Sequence, residues 1–185
     1  MKEKSKLTAR QIALTAILLA ICIVSQFFKN LNVFITGPII NAALILTAVY
    51  CGGICGIILS IITPVTSFFI TGSAIMSAVP LMFPCIMLGN ISLVLGVILI
   101  DKPLKKFIPK LSLPIAMVGG SVIKGVIMGL LIALIVLPNF LPAAMAGKLS
   151  ALQYQFSIVQ LLTALIGSVY AYIIKLVLDK AKVMG

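Results

Sequence analysis

One lysine in the middle of an apolar segment is the residue of this sequence best placed to do chemistry. Lys124 lies in the segment VGGSVIKGVIMGLLIAL, about eleven residues from either end of the predicted span 113–137. A charge at the centre of a bilayer costs at least ~2.5–3.5 kcal/mol on insertion scales, so such a lysine is a functional-site candidate. Its three donors and its charge suit an anionic or carbonyl-rich ligand. The structural alternative is a lysine, charged or neutral, that bonds helix carbonyls inside the bundle.

A few other polar side chains fall inside apolar segments and are candidates for the same pocket. Small-molecule sites combine a few polar groups with apolar and aromatic ones. Phe83 and Met87 fall within about 60° of Asn90 on one helix face. Interhelical hydrogen bonding, worth roughly 0.6 kcal/mol per bond, is the structural alternative for each polar residue. The candidate substrate-binding residues are Lys124, Asn90, Gln160, Thr163, Asn41, Phe83, Met87 and Ser121.

The sequence carries no recognisable catalytic or metal-binding set. It has no His, and its acidic residues are only Glu3, Asp101 and Asp179, none at mid-membrane. A proton-driven exchanger normally uses an intramembrane carboxylate or His. The four cysteines lie in apolar stretches without the ligand spacing of a zinc site, which is typical of small buried hydrophobes. We therefore expect no catalytic residue, no metal and no cofactor, and any transport energy must come from partner proteins.

Composition places the chain in a membrane. Of its 185 residues 62% are hydrophobic and 9% are charged, and the mean hydropathy is +1.31. A net charge of +11 in a soluble protein would suggest nucleic acid. Here the charges flank apolar segments, so membrane orientation and anionic lipid explain them better. The first apolar run, of about 20 residues, is longer than the core of a signal peptide and is interpreted as a helix that stays in the membrane.

The apolar segments predict an all-α integral membrane protein, a compact bundle of six transmembrane helices in one domain. A span needs roughly 20 apolar residues. Residues 39–70 are too long for one span, so the glycines after Cys51 predict a tight turn between two helices, and Pro64 predicts a kink. The predicted helices are about 7–28, 36–50, 54–70, 79–100, 113–137 and 153–178.

Basic residues predict that both termini are cytoplasmic. With six spans, eleven Lys and Arg residues fall on the inner side and two on the outer side, which is a strong positive-inside bias. Lys124 belongs to neither side. The inner residues are Lys2, Lys4, Lys6, Arg10, Lys102, Lys105, Lys106, Lys110, Lys175, Lys180 and Lys182; the outer ones are Lys29 and Lys148.

The first helix carries a stripe of small side chains. Ala9, Ala13, Ala16 and Ala20 in ARQIALTAILLA cover an arc of roughly 60° on one helix face. A docking face for a partner helix should begin at the membrane edge, as this stripe does at Ala9 and Ala13. Ala16 and Ala20 lie deeper, and either extend that contact or pack internally.

The chain resembles the substrate-binding S component of an energy-coupling factor (ECF) transporter. The resemblance covers nearly the whole chain and rests on six helices with basic ends, on the Ala-x-x-x-Ala pair Ala9 and Ala13, repeated at Ala16 and Ala20, and on the runs TGPIINAALILTAVYCGG, ITP and MFPCIMLGN. It implies a high-affinity binding subunit of an ABC-type importer for a vitamin or related micronutrient, in a bacterial plasma membrane.

The resemblance also implies partners and a place for the ligand. The ligand would bind near the outer side, under the loops that join helices one and two, three and four, and five and six. The alanine face would dock on a transmembrane coupling protein driven by two cytoplasmic ATPases. The substrate stays open. The alternatives are a stand-alone small-molecule transporter or channel, and a membrane enzyme or assembly factor.

Overall fold

The predicted all-α class and the six membrane-crossing helices are confirmed. The computed structural model describes residues 7–28 and 32–181, and within these ranges it contains helices and no strand. Six helical stretches are long and apolar enough to cross a membrane. Lys2, Lys4, Lys6, Lys29 and Lys182, which entered the charge count, lie outside the described residues.

The first four spans alternate with short connections. They are α1 (Ala9–Gln26), α2 (Val33–Tyr50), α3 (Gly53–Thr71) and, after a short α4 (Ala74–Ala78), α5 (Met82–Phe107). The turn predicted at the glycines lies between α2 and α3, where Gly52 has a φ of 87° that suits a residue without a Cβ. The fourth span runs from 82 to 107, whereas 79–100 is predicted, because hydropathy marks where hydrocarbon ends and not where the helix ends.

The last two spans are each built from several helical pieces. The fifth is α6 (Ser112–Met128), which continues through a π-helical segment, Gly129–Val136, into α7 (Leu137–Phe140). The sixth begins with a 3₁₀ turn, Ala143–Lys148, and α8 (Leu149–Phe156), and after a break at Ser157 it becomes α9 (Ile158–Lys180). The Gln153 Nε2 group donates to the Ala133 carbonyl at 2.8 Å, which fastens α8 to the π-helical segment.

Because the chain crosses the bundle six times, its connections fall at two ends. The proximal end holds the start of α1, the α2–α3 and α5–α6 turns and the end of α9; the distal end holds the other three connections. Charged residues are concentrated at the proximal end. Among the described residues the distal end carries Lys148, and the proximal end carries Arg10, Asp101, Lys102, Lys105, Lys106, Lys110, Lys175, Asp179 and Lys180.

Glycines let the spans approach closely around Lys124. A Cβ on Gly120 of α6 would lie 2.9 Å from the Leu93 carbonyl oxygen of α5. A Cβ on Gly167 of α9 would lie 2.7 Å from the Cβ of Asn41 on α2, and one on Gly125 would lie 2.9 Å from the Leu161 Cβ. These distances are shorter than real Cβ contacts, so small residues at these crossings are a packing requirement.

The charge distribution generates a test of orientation. All four cysteines are buried, so the wild-type protein should react weakly with a membrane-impermeant maleimide. In intact cells, Lys148→Cys should be labelled at the distal end and Lys106→Cys should not, because the basic proximal end is expected inside. Lysis should expose both thiols. Labelling of Lys106→Cys before lysis would reverse the orientation.

Candidate functional site

A cavity in the distal half of the bundle ends at the intramembrane lysine. Its volume is about 140 Å³, far above the roughly 10–15 Å³ that one water needs, so it has room for a small organic molecule. Its inner end is formed by Lys124, Asn41 and Asn90, and its distal wall includes residues of α4 and α8. The remaining lining residues are Val33, Thr36, Gly37, Ile40, Thr63, Pro64, Ser67, Ser73, Ile75, Met76, Ile86, Met128, Gln155, Phe156 and Gln160.

Helix periodicity directs the Lys124 side chain toward the interior of the bundle. On α6 the buried residues Met117, Ser121, Lys124 and Met128 follow one another at intervals of four, three and four, which is one helix face. Lys124 is only 3% exposed. The lysine is therefore directed at α2 and α5 and away from the surface of the bundle.

Two asparagine side chains hold the lysine. The Lys124 Nζ group donates to Asn41 Oδ1 at 2.6 Å and to Asn90 Oδ1 at 2.8 Å. Each asparagine lies eight residues after the first residue of its helix, Val33 or Met82, which places both about 12 Å from the distal helix ends. Their oxygens thus meet the lysine at one depth.

The amide nitrogens of the two asparagines connect the lysine to two further helices. Asn41 Nδ2 lies 3.5 Å from Thr163 Oγ1 on α9. Asn90 Nδ2 lies 3.5 Å from Thr63 Oγ1 and from the Ser60 carbonyl oxygen on α3. These are long, weak bonds, but they orient each amide with its oxygen toward the lysine.

A proline provides one of these acceptors. Pro64 has no N–H, so it cannot donate to the Ser60 carbonyl four residues earlier, and that acceptor is open to Asn90. The neighbouring Thr63 carbonyl accepts a bond from Gln26 Nε2 of α1 at 3.0 Å. Hydrogen bonds therefore connect all six spans to Lys124. The spans α2 and α5 bond it directly, α3 and α9 are connected through one asparagine each, and α1 is connected through Thr63 and Asn90.

The eight candidate binding residues divide into three groups. Lys124, Asn41, Asn90 and Gln160 line the cavity. Thr163 lies behind Asn41, as a buried support rather than a lining residue. Three residues lie elsewhere.

The residues that the structure keeps out of the cavity are Ser121, Phe83 and Met87. Ser121 bonds Ser168 Oγ at 2.9 Å and so joins α6 to α9. Phe83 lies nearly two turns from Asn90 toward the distal end, where its ring packs edge-on against Phe68 with 5.1 Å between centroids. From α5 the cavity receives Ile86, four residues before Asn90, instead of Met87.

Several lining residues escaped the sequence interpretation. Thr63 lies eight residues before Thr71, the last residue of α3, so it shares the depth of the two asparagines, and a comparison of depths would have found it. Thr36, Ser67, Ser73 and Gln155 come from helix ends and connections. Sequence position alone does not show which of these point inward.

The cavity carries a lysine without a nearby carboxylate. Among the described residues Lys124 forms no salt bridge, and Asp101 and Asp179 both lie at the proximal end. Lys124 is twelve residues into α6 from Ser112, which is about 18 Å along the helix. The described part of the chain also contains no cluster of His, Cys, Asp or Glu that could hold a metal ion. An anion in the cavity would be the lysine's nearest counter-charge.

The alanine stripe faces outward along its whole length. Ala9, Ala13, Ala16 and Ala20 are all exposed, whereas α1 buries Leu18, Cys22, Ser25 and Gln26. Internal packing of Ala16 and Ala20, one of the two alternatives left open by the sequence, is therefore wrong. The stripe is available to lipid or to another protein.

Comparisons with models of protein families, with curated proteins and with solved structures find no match to this chain. Functional interpretation consequently rests on the cavity, the charge distribution and the exposed helix faces.

The hydrogen bonds of Lys124 generate a stability prediction. Lys124→Met or Asn41→Leu alone leaves a buried polar partner unpaired and should lower the free energy of unfolding by about 1–3 kcal/mol. The double variant should lose less than the sum of the two, with a coupling energy of about 0.5–3 kcal/mol. Thermal or denaturant unfolding in detergent micelles measures this cycle.

A matched cycle uses an exposed asparagine. Asn139 donates to the Ile135 carbonyl near the distal end, so Asn139→Leu and Lys124→Met should be additive. Equal coupling in both cycles would contradict a specific bond between Lys124 and Asn41.

Proposed function

We propose that this multi-pass membrane protein is the substrate-binding S component of an ECF-type ABC importer for a vitamin or related micronutrient. The observation that carries the proposal is the cavity that ends at Lys124 inside the bundle and is bordered by residues of α4 and α8 at the distal end. It combines one lysine, several amides and hydroxyls, and apolar walls, as small-molecule sites do. A chain that binds without an evident energy source fits a receptor subunit that depends on others for energy.

The position of the cavity within the bundle also supports a receptor role. The cavity is lined by Val33 and Ser73, at or near two of the distal connections, and by Gln155 of α8. By the positive-inside rule this end would lie outside a bacterial plasma membrane. A ligand would then enter from outside, between the connections, and would reach Lys124 about halfway across the membrane.

The outward alanine face supports partner docking. Side chains of one carbon leave the α1 backbone accessible, and small residues are what close helix–helix contact in membranes requires. Ala9 and Ala13 lie at the proximal end, next to Arg10, where a cytoplasmic complex would be reached. The proposed partners are a transmembrane coupling protein and two cytoplasmic ATPases, which would hydrolyse the ATP, so this chain is not itself an enzyme.

Ligand identification tests the binding role. Mass spectrometry of small molecules released from the purified protein should identify one bound compound with an acidic or carbonyl group. Its affinity should fall roughly tenfold or more in Lys124→Ala, because hydrogen bonds to a charged group contribute about 1.5–3 kcal/mol. Titration calorimetry with the identified compound measures the change.

The control for that measurement is Ser121→Ala. Ser121 is buried on the same helix but lies outside the cavity, so this variant should keep wild-type affinity. Unchanged binding by a correctly inserted Lys124→Ala protein would reject Lys124 as a ligand-binding residue.

A bulky residue on the alanine face tests partner docking. Ala13→Trp should abolish uptake and co-purification of the coupling protein and ATPases while ligand binding persists, because the indole blocks close helix approach. Ile173→Trp is the control, since Ile173 is 53% exposed on α9 toward the same end and should tolerate the change. Failure of the wild-type protein to co-purify with such partners from its native host would refute the proposed function.

A further inference from the structure

A second, larger cavity opens at the proximal end between α2, α5, α6 and α9. Its volume is about 790 Å³. Four lysines line it: Lys102 and Lys105 from α5, Lys110 from the α5–α6 turn and Lys175 from α9. Lys175 is paired with Asp179, whereas the other three form no salt bridge among the described residues. This groove, as we call the cavity below, therefore presents three lysines that form no salt bridge within the described part of the chain.

The inner wall of the groove is apolar and extends toward the bilayer centre. It includes Val97 and Ile98 of α5, Leu113 of α6 and Ala48 of α2. From Lys105 to Val97 the groove follows α5 for eight residues, which is about 12 Å of helix. A soluble anion needs only the basic rim. A phospholipid needs a charged rim at the membrane surface and an apolar wall that continues toward the bilayer centre.

One acidic residue limits which phospholipid headgroups would fit the groove. Asp101 lines the groove, and its Oδ1 atom is buried and accepts no hydrogen bond from the described residues. A buried oxygen of this kind requires a donor. A headgroup with a phosphate for the lysines and hydroxyl donors for Asp101 satisfies both requirements, and three lysines against one carboxylate keep the groove positive.

We propose that this groove binds one anionic glycerophospholipid of the phosphatidylglycerol type, with its phosphate among Lys102, Lys105 and Lys110 and a headgroup hydroxyl on Asp101. The acyl chains would lie along the wall formed by Val97, Ile98 and Leu113. Basic pockets between transmembrane helices bind anionic headgroups in this way. The site is separate from the Lys124 cavity, and the proposal requires only that the proximal end lie at a membrane surface.

Lipid competition tests the proposal on the full-length protein. Purified protein is equilibrated in micelles that contain equal amounts of phosphatidylglycerol, phosphatidylethanolamine and phosphatidylcholine, and retained lipid is counted by native mass spectrometry. Phosphatidylglycerol should be retained preferentially. In the double variant Lys105→Gln/Lys110→Gln its affinity should fall about 25-fold, since each lysine contributes about fivefold.

The matched control removes the same charge elsewhere. Lys106 neighbours Lys105 but does not line the groove, and Lys148 lies at the distal end. Lys106→Gln/Lys148→Gln should retain phosphatidylglycerol like the wild type. Equal loss in the two double variants would assign lipid binding to diffuse surface charge, and no lipid preference in the wild type would show that charge does not select the lipid. Either result would overturn the proposal.

Two further measurements separate other occupants of the groove. Inorganic phosphate or glycerol 3-phosphate at millimolar concentration should not displace the lipid; displacement would make the groove a site for a soluble anion. If Lys105→Gln/Lys110→Gln keeps its lipid but loses co-purifying proteins, the groove is a protein-docking surface and the lipid assignment is wrong. A failure of ligand binding at Lys124 would leave the lipid result unchanged.

Discussion

The arrangement of this bundle depends on the need to provide hydrogen-bond acceptors for one lysine inside a membrane. A polar group in hydrocarbon is expensive unless it is bonded within the protein. Lys124 meets this condition through Asn41 and Asn90, at 2.6 and 2.8 Å, and these two side chains bring α2, α5 and α6 to a common point. Packing in a membrane has no hydrophobic driving force between helices, so a polar centre of this kind helps to specify which helices meet.

The second requirement is room for the backbones to approach. Gly167 lets α9 lie against Asn41, and Gly120 lets α6 lie against the Leu93 carbonyl of α5. Pro64 has a complementary effect, because it opens the Ser60 carbonyl to Asn90. Small residues and a proline near mid-span therefore determine where the Asn41 and Asn90 amides lie. These amides in turn determine the position of Lys124. Substitutions at these residues would reach the cavity without touching a ligand.

The two ends of the bundle have different chemistry. The distal half contains a cavity with one lysine and neutral polar groups, and the described proximal end carries most of the charge around the groove. The exposed alanine face of α1 extends from the proximal end toward mid-membrane. A receptor that takes up a ligand at one surface and meets partners at the other would use these features separately, so ligand binding and partner docking can be tested independently.

The sequence by itself determined the membrane location, the six spans, the turn at Gly52 and the position of Lys124 inside a span. These follow from one-dimensional quantities: apolar run length, glycine position and a charge where charge is costly. The tertiary structure decided which polar residues meet. It joined Asn41 and Asn90 to Lys124. It also placed Thr63 and Gln155 in the lining of the cavity and left Phe83, Met87 and Ser121 outside it. The reason is rotational: every face of a membrane helix is apolar enough for lipid, so hydropathy does not show which face turns inward, and only packing against neighbours fixes it.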